Sequence, residues 1–381
     1  MISAVFDALR MAVVMGWEIL WALILGFLIS AAIQAVVSHR EMARLLPNDH
    51  AASIIKASAL GAASSSCSYA AVAIGRSIFR KGGNFNAAMA FQFASTNLVV
   101  ELGLILAILL GWRFTAATWG GGMVMIVLTT VLLRLVMRPA LIEEARAQAD
   151  KGIAGRMEGH AEMDMSLSEG PILKRLLSTK GFTATAHYFW MDWASLWFDI
   201  GLGLLIAGAL AAWVPPGFWA TLFVTSDPAL ARIMGPLIGP LVGVVTFVCS
   251  IGNVPLAAVL WNGGASFGGV VAFIFADLIV LPILDIYRRY YGLKVAAILF
   301  AVFYAAMALA GYVIELVFGM LNLIPVTRNA EIVGTGAAWN YTTWLDFGFL
   351  VLAGVLLWRF LTTGGPAMLR MMNAAGGGQR A

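Results

Sequence analysis

The chain is poor in charge. Asp, Glu, Lys and Arg make up 12% of its 381 residues, where a soluble domain carries about 25%. Histidines number four and cysteines two, Cys67 and Cys249. Two cysteines exclude a disulfide framework, and one disulfide between them would need an oxidising compartment. No Gly-x-x-x-x-Gly-Lys-[Ser/Thr] motif occurs, which excludes a P-loop ATPase in this chain. The net charge of +4 comes with no basic stripe, so nucleic acid is not an expected partner. The absence of Cys-x-x-Cys and of haem or quinone signatures leaves little for an enzyme, and no cofactor or resident metal is expected.

What the chain has is apolar length. Hydrophobic residues make up 61%, with a mean hydropathy of +0.88. Residues 11–37 carry one charge, Glu18, while 114–133, 200–226 and 295–314 carry none. Apolar blocks above about 18 residues read as membrane spans. The 40 glycines suit close helix packing in lipid. Composition therefore predicts an all-α polytopic membrane protein whose surroundings are the lipid bilayer.

An internal echo organises the blocks. Residues 61–102 and 243–284 align without a gap at a shift of 182, with 11 of 42 pairs identical. Gly61 meets Gly243, Cys67-Ser68 meets Cys249-Ser250, and Gly82 meets Gly264. Ala90-Phe91-x-Phe93-Ala94 meets Ala272-Phe273-x-Phe275-Ala276. Upstream, Trp17-x-x-Leu20-Trp21 resembles Trp193-x-x-Leu196-Trp197. Duplicated halves are a signature of secondary transporters.

Lys and Arg set the topology. The stretch 134–183 is rich in them and is expected in the cytoplasm. The first cysteine segment, within 38–83, has basic residues at both ends, whereas its equivalent in 213–266 has only Arg232. The two segments are thus expected to enter from opposite sides as re-entrant hairpins of two half-helices. That gives two inverted repeats, with about seven full spans (near 11–37, 84–111, 114–137, 187–213, 267–287, 295–320 and 344–363) and two hairpins. Nine ordinary spans is the alternative. The expected divisions are a first repeat 1–138, a solvated cytoplasmic linker 139–183, a second repeat 184–320, an outer loop 321–343, and an extra span with a cytoplasmic tail 344–381. A homo-oligomer is compatible with this plan.

Polar residues at membrane depth nominate the site. Ser64-Ser65-Ser66-Cys67-Ser68-Tyr69 is tolerated in lipid only when buried or lining a cavity. Its counterpart, Cys249-Ser250-Ile251-Gly252-Asn253-Val254-Pro255, holds helix breakers. Half-helix N-termini favour anions and thiolates, and thiolates bind soft solutes such as trivalent arsenic, mercury or Cu(I). Cys67, Ser68, Cys249, Ser250, Asn253, Ser64, Tyr69, Gln92 and Asn97 are the expected substrate-binding residues. Gln92, Ser95 and Thr96 share one helix face. Ionisable residues inside a membrane mark pathways or proton relays, which nominates Asp277, standing where the first half has Ser95, and then Glu101. Asp192 and Asp199 share a face and line either the cavity or the inner interface. Glu315 and Asp346 read as interfacial, and Asp285 as an ion pair with Arg288 and Arg289.

Cys67-Ser68-Tyr69 through Arg80-Lys81-Gly82, then Ala90-Phe91-Gln92-Phe93-Ala94-Ser95-Thr96-Asn97, with Cys249 through Ala257, resembles the predicted-permease family that includes the ArsP organoarsenical exporters. The resemblance covers both halves. It implies a multi-pass inner-membrane permease, not an enzyme, exporting a small solute such as a trivalent organoarsenical with Cys67 and Cys249 at the site, and a role in arsenic resistance. Many members carry a Cys-x-Cys-like, proline-containing first motif, where this chain has one thiol per repeat. A metal cation or sulfur-containing anion as cargo, or a thiol oxidoreductase using Cys67 and Cys249, are the competing readings.

Overall fold

The structure is a computed structural model, and it describes residues 2–36, 46–64, 68–80, 82–149, 167, 171–215, 218, 221–223, 226–246, 250–328, 330 and 341–370. Among them are helices and connecting turns but no strands. The first half comprises α1 (Ile2–Gln34), α2 (Ala51–Ser64), α3 (Ser68–Arg80), α4 (Phe85–Asn97), α5 (Val100–Leu109) and α6 (Trp112–Val136). Two shorter helices follow, α7 (Pro139–Ala149) and α8 (Ile172–Leu176). The second half comprises α9 (Thr179–Trp213), α10 (Pro228–Thr246), α11 (Ser250–Asn262), α12 (Phe267–Ile274), a 3-10 turn (Phe275–Leu278), α13 (Leu281–Tyr291) and α14 (Leu293–Met320). Helix α15 (Tyr341–Thr362) comes last.

Among the described residues, five apolar stretches are long enough to cross a membrane: Phe85–Leu109, Trp112–Val136, Pro228–Val245, Leu293–Met320 and Thr343–Thr362. The bent pair Phe267–Leu278 and Leu281–Tyr291 makes a sixth. The all-helical membrane architecture expected from composition is what the chain adopts. The longest helices, α1 and α9 with 33 and 35 residues, pack along each other, and α15 packs against both.

Local geometry recurs at positions 182 residues apart. Helix α2 packs on α4 as α10 packs on α12, and α4 on α6 as α12 on α14. Glycine lines both contacts: a Cβ on Gly61 would strike the Phe91 carbonyl of α4 and one on Gly239 the Gly269 carbonyl of α12, while one on Gly243, the counterpart of Gly61, would strike the Ala276 side chain in the 3-10 turn that follows α12. The turns into α4 and α12 are alike. Gly82 (φ +96°) and Gly264 (φ +106°) take the left-handed conformation that favours glycine. The next amide then turns back, Gly83 N–H to Ile78 O at 2.9 Å and Ala265 N–H to Leu260 O at 3.0 Å. Asn84 and Ser266 cap the helices that follow, each accepting backbone N–H groups through its side chain.

Two expectations differ from what is found. Residues 84–111 and 267–287 do not form continuous helices. The first is interrupted at Leu98–Val99, and the second turns into 3-10 geometry at Phe275 and restarts after Val280 with a 43° bend. Pro282 explains the second restart, since proline fits the first turn of a helix and not its interior. The stretch after 138, expected as a solvated linker with some helix, begins with a helix that packs on its neighbours. Ala145 and Ala149 of α7 are fully buried, and α7 lies on α3 and α13. The buried Arg76 guanidinium fixes its end by donating to Ala149 O at 2.7 and 3.2 Å.

Candidate functional site

The two interrupted spans bring polar side chains to the middle of the molecule. Asp277 sits in the 3-10 turn with no exposed surface. Ser68, first residue of α3 and equally buried, donates its hydroxyl to Asp277 Oδ2 at 2.6 Å. This bond joins the first half to the second. Thr96 and Asn97, at the end of α4, also lie beside the Asp277 carboxyl. Asn97 Nδ2 donates to Thr96 Oγ1 at 2.9 Å.

A second link crosses one turn away. Tyr287 of α13 donates its hydroxyl to Gln92 Oε1 at 2.9 Å, with both side chains fully buried. Gly75 of α3 makes room for Gln92, because a Cβ there would collide with the Gln92 amide. Ser95 and Thr96 donate to the Gln92 carbonyl, so these hydroxyls are satisfied within α4. Asp277 Oδ1, Asn97 Oδ1 and Gln92 Nε2 make no aligned hydrogen bond among the described residues. Buried polar atoms are normally paired, and these three lie on α4 and the 3-10 turn.

Helix α11 lies against the 3-10 turn and against α5. It carries Ser250 and Asn253, both buried. Ser64 is buried at the end of α2, donating to Gly61 O at 3.0 Å. Glu101 lies in the first turn of α5, buried, where a carboxylate suits the helix N-terminus. It stands close enough to Asp192 of α9 to act on its charge, and Gln34 of α1 donates to Asp192 Oδ2 at 3.2 Å. Asp192 therefore faces the interior and not an interface. Cys67 and Cys249 lie outside the described residues, as do the side chains of Tyr69 and Asp199. Among the described residues no three His, Cys, Asp or Glu side chains form a metal-binding group.

Asp285 pairs with Arg288 and Arg289 at 2.7 Å, as expected. Asp346 is a correction. It is fully buried, not interfacial, and accepts the Trp21 N–H at 2.8 Å, which ties α15 to α1. Glu315 accepts the Gly268 N–H at 2.6 Å at the start of α12. Tyr287 had escaped notice as a site residue because the sequence sets it beside an obvious ion-pair cluster. Its spacing of ten from Asp277 and the intervening Pro282 were the available signals.

Buried carboxyl and amide groups at interrupted spans, within an all-helical bundle long enough to cross a bilayer, define a membrane transporter. The chain belongs to the family described as "Predicted permease" (ArsP_1), whose model matches residues 5–316. It is also 58% identical over 341 residues to the Mycobacterium tuberculosis (strain ATCC 25618 / H37Rv) protein "Putative permease Rv2963", covering 89% of this chain and 84% of that one. No solved structure matches the chain.

Proposed function

We propose that this permease is built of two inverted repeats and exports a soft, thiol-reactive solute, such as a trivalent organoarsenical, across the inner membrane. The observation that carries the reading is the Ser68–Asp277 bond, a fully buried link between the halves beside side-chain atoms with no aligned partner. A dry structural core would satisfy those atoms; a transport pathway leaves them for water or cargo. The matched glycine contacts, turns and caps at a shift of 182 support the duplication. Cys67 and Cys249 each precede a buried serine that begins a helix, Ser68 or Ser250. In this reading they supply one soft ligand from each half. Asp277, with Glu101 behind it, carries the coupled proton.

The test is uptake of trivalent methylarsenite by inside-out vesicles, comparing the natural chain with Cys67→Ser, Cys249→Ser and the double variant. Energy-dependent uptake lost in either single variant is the expected result. Uptake that survives the double variant removes the thiols and leaves Asp277, Asn97 and Asn253 as the site. No uptake by the natural chain removes the arsenical and turns the screen to metal cations and sulfur-containing anions.

A further inference from the structure

Arg146 and Arg328 are 182 residues apart, outside the aligned stretch, and in their surroundings only Leu141-Ile142 and Leu323-Ile324 also match at that shift. In the structure they do the same thing. Arg146, from α7, donates to the Phe79 carbonyl and, at 3.3 Å, to Gly83 O. Arg328 donates to Trp261 O and Ala265 O, both at 2.8 Å. Phe79 and Gly83 are the counterparts of Trp261 and Ala265. Each guanidinium also lies over the aromatic ring of its own turn, at 4.1 Å from the Phe79 centroid and 4.3 Å from that of Trp261. Each therefore clasps the turn between the two helices that follow a Cys-Ser segment, α3–α4 or α11–α12. A planar five-donor fork can bridge two carbonyls while stacking on a ring, which lysine cannot.

The arms that deliver the arginines are unlike. Arg146 rides on a helix that buries Ala145 and Ala149 and whose end is held by Arg76. Arg328 rides on a loop held by Asn262, whose amide exchanges two 2.9 Å bonds with the Ala330 backbone. Keeping one clasp while the arms diverge marks the clasp as the functional element of the two segments. We infer that Arg146 and Arg328 are reciprocal latches: each seats the hairpin of its own half, and releasing one favours the conformer in which the other is closed. The inference rests on the two-repeat permease reading, and it assigns both arginines as positioning residues.

Hydrogen–deuterium exchange of the protein in lipid nanodiscs, without substrate, tests it. Arg146→Ala should raise exchange at Gly82 and Gly83 at least tenfold and slow it at Gly264 and Ala265. Arg328→Ala should do the reverse. Arg146→Lys and Arg328→Lys keep the charge and should shift exchange in the same directions by less, which covers an alanine variant that fails to fold. A variant that leaves its own turn unchanged refutes the latch. One that leaves the opposite turn unchanged, or loosens it too, refutes reciprocity. Because no cargo is present, failure here is distinct from failure of the transport assay.

Discussion

Replacing Ser68 and Asp277 by Ala, singly and together, measures the link between the two halves, and Asp277→Asn is read beside them. Both side chains are fully buried, and their O···O distance of 2.6 Å is that of a hydroxyl bonded to a carboxylate. Two magnitudes compete. Neutral hydrogen bonds between membrane helices average about 0.6 kcal/mol in double-mutant cycles, with a maximum near 1.7. A bond to a charged group contributes about 1.5–3 kcal/mol. No basic side chain pairs with Asp277 among the described residues, so an ionised carboxylate would depend heavily on Ser68. A coupling energy near 0.6 kcal/mol, from denaturation in mixed micelles, would mark Asp277 as protonated at rest. A value of about 2 kcal/mol would mark it as ionised. The cycle should also separate stability from transport: Asp277→Asn keeps the shape and should fold normally while losing proton-coupled uptake. A coupling within about 0.3 kcal/mol of zero is simple additivity, and it would refute the claim that this bond joins the halves.

Two further outcomes follow from the packing and from the Asp49–Arg134 ion pair. Gly61→Val and Gly243→Val each drive a side chain into a neighbouring helix, so each should cost about 1–3 kcal/mol and lower the folded yield on size-exclusion chromatography; Gly354→Ala, with nothing within 4 Å, should not. Burial alone would raise the Asp49 carboxyl, but the Arg134 hydrogen bond and charge, with the Asn86 amide, hold it below its usual range. That stabilisation is present above the unfolded value of about 3.9 and is lost as pH falls through the lower folded value. Both partners are partly exposed, so Asp49→Asn should cost under about 1 kcal/mol at pH 7 and nothing measurable near pH 2, as thermal unfolding at the two pH values will show.

The membrane spans and the nominated polar residues were legible because lipid makes apolar length and buried charge informative. The interruptions of α4–α5 and α12–α13 were not. Ala90–Val99 reads as continuous helix by hydropathy, and Leu98 and Val99 are poor breakers whose role comes from packing. Asp277–Leu278–Ile279–Val280 resembles ordinary apolar span, and only Pro282 hints at the restart. The clasp by Arg328 was hidden for another reason. A lone arginine in a polar loop looks solvated, and only its register with Arg146 reveals a partner. Asp346 misled because one charge near the end of an apolar run usually reaches water, whereas Trp21 offers a backbone donor inside.

The correspondence at a shift of 182 extends to backbone geometry but not to chemistry. Gln92 faces the alignment opposite Ile274, Asn97 opposite Ile279, and Glu101 opposite Ile283. In the other direction Asp277 stands opposite Ser95, Tyr287 opposite Ile105, and Asn253 opposite Ala71. Gln92, Asn97, Glu101, Tyr287 and Asn253 therefore each face an apolar residue, and Asp277 faces a serine. The observed bonds then run between halves: Ser68 to Asp277, and Tyr287 to Gln92. A symmetric site would place two acids face to face, and like charges at short range disfavour joint ionisation. Dividing the polar groups between the halves gives one carboxyl at the centre and surrounds it with neutral donors and acceptors. In the proton-coupled reading proposed above, a single central acid would carry one proton per cycle, with Glu101 and Asp192 as separate buried acids. In the two-repeat reading proposed above, the backbone would offer two equivalent states while the binding chemistry remained that of one asymmetric site.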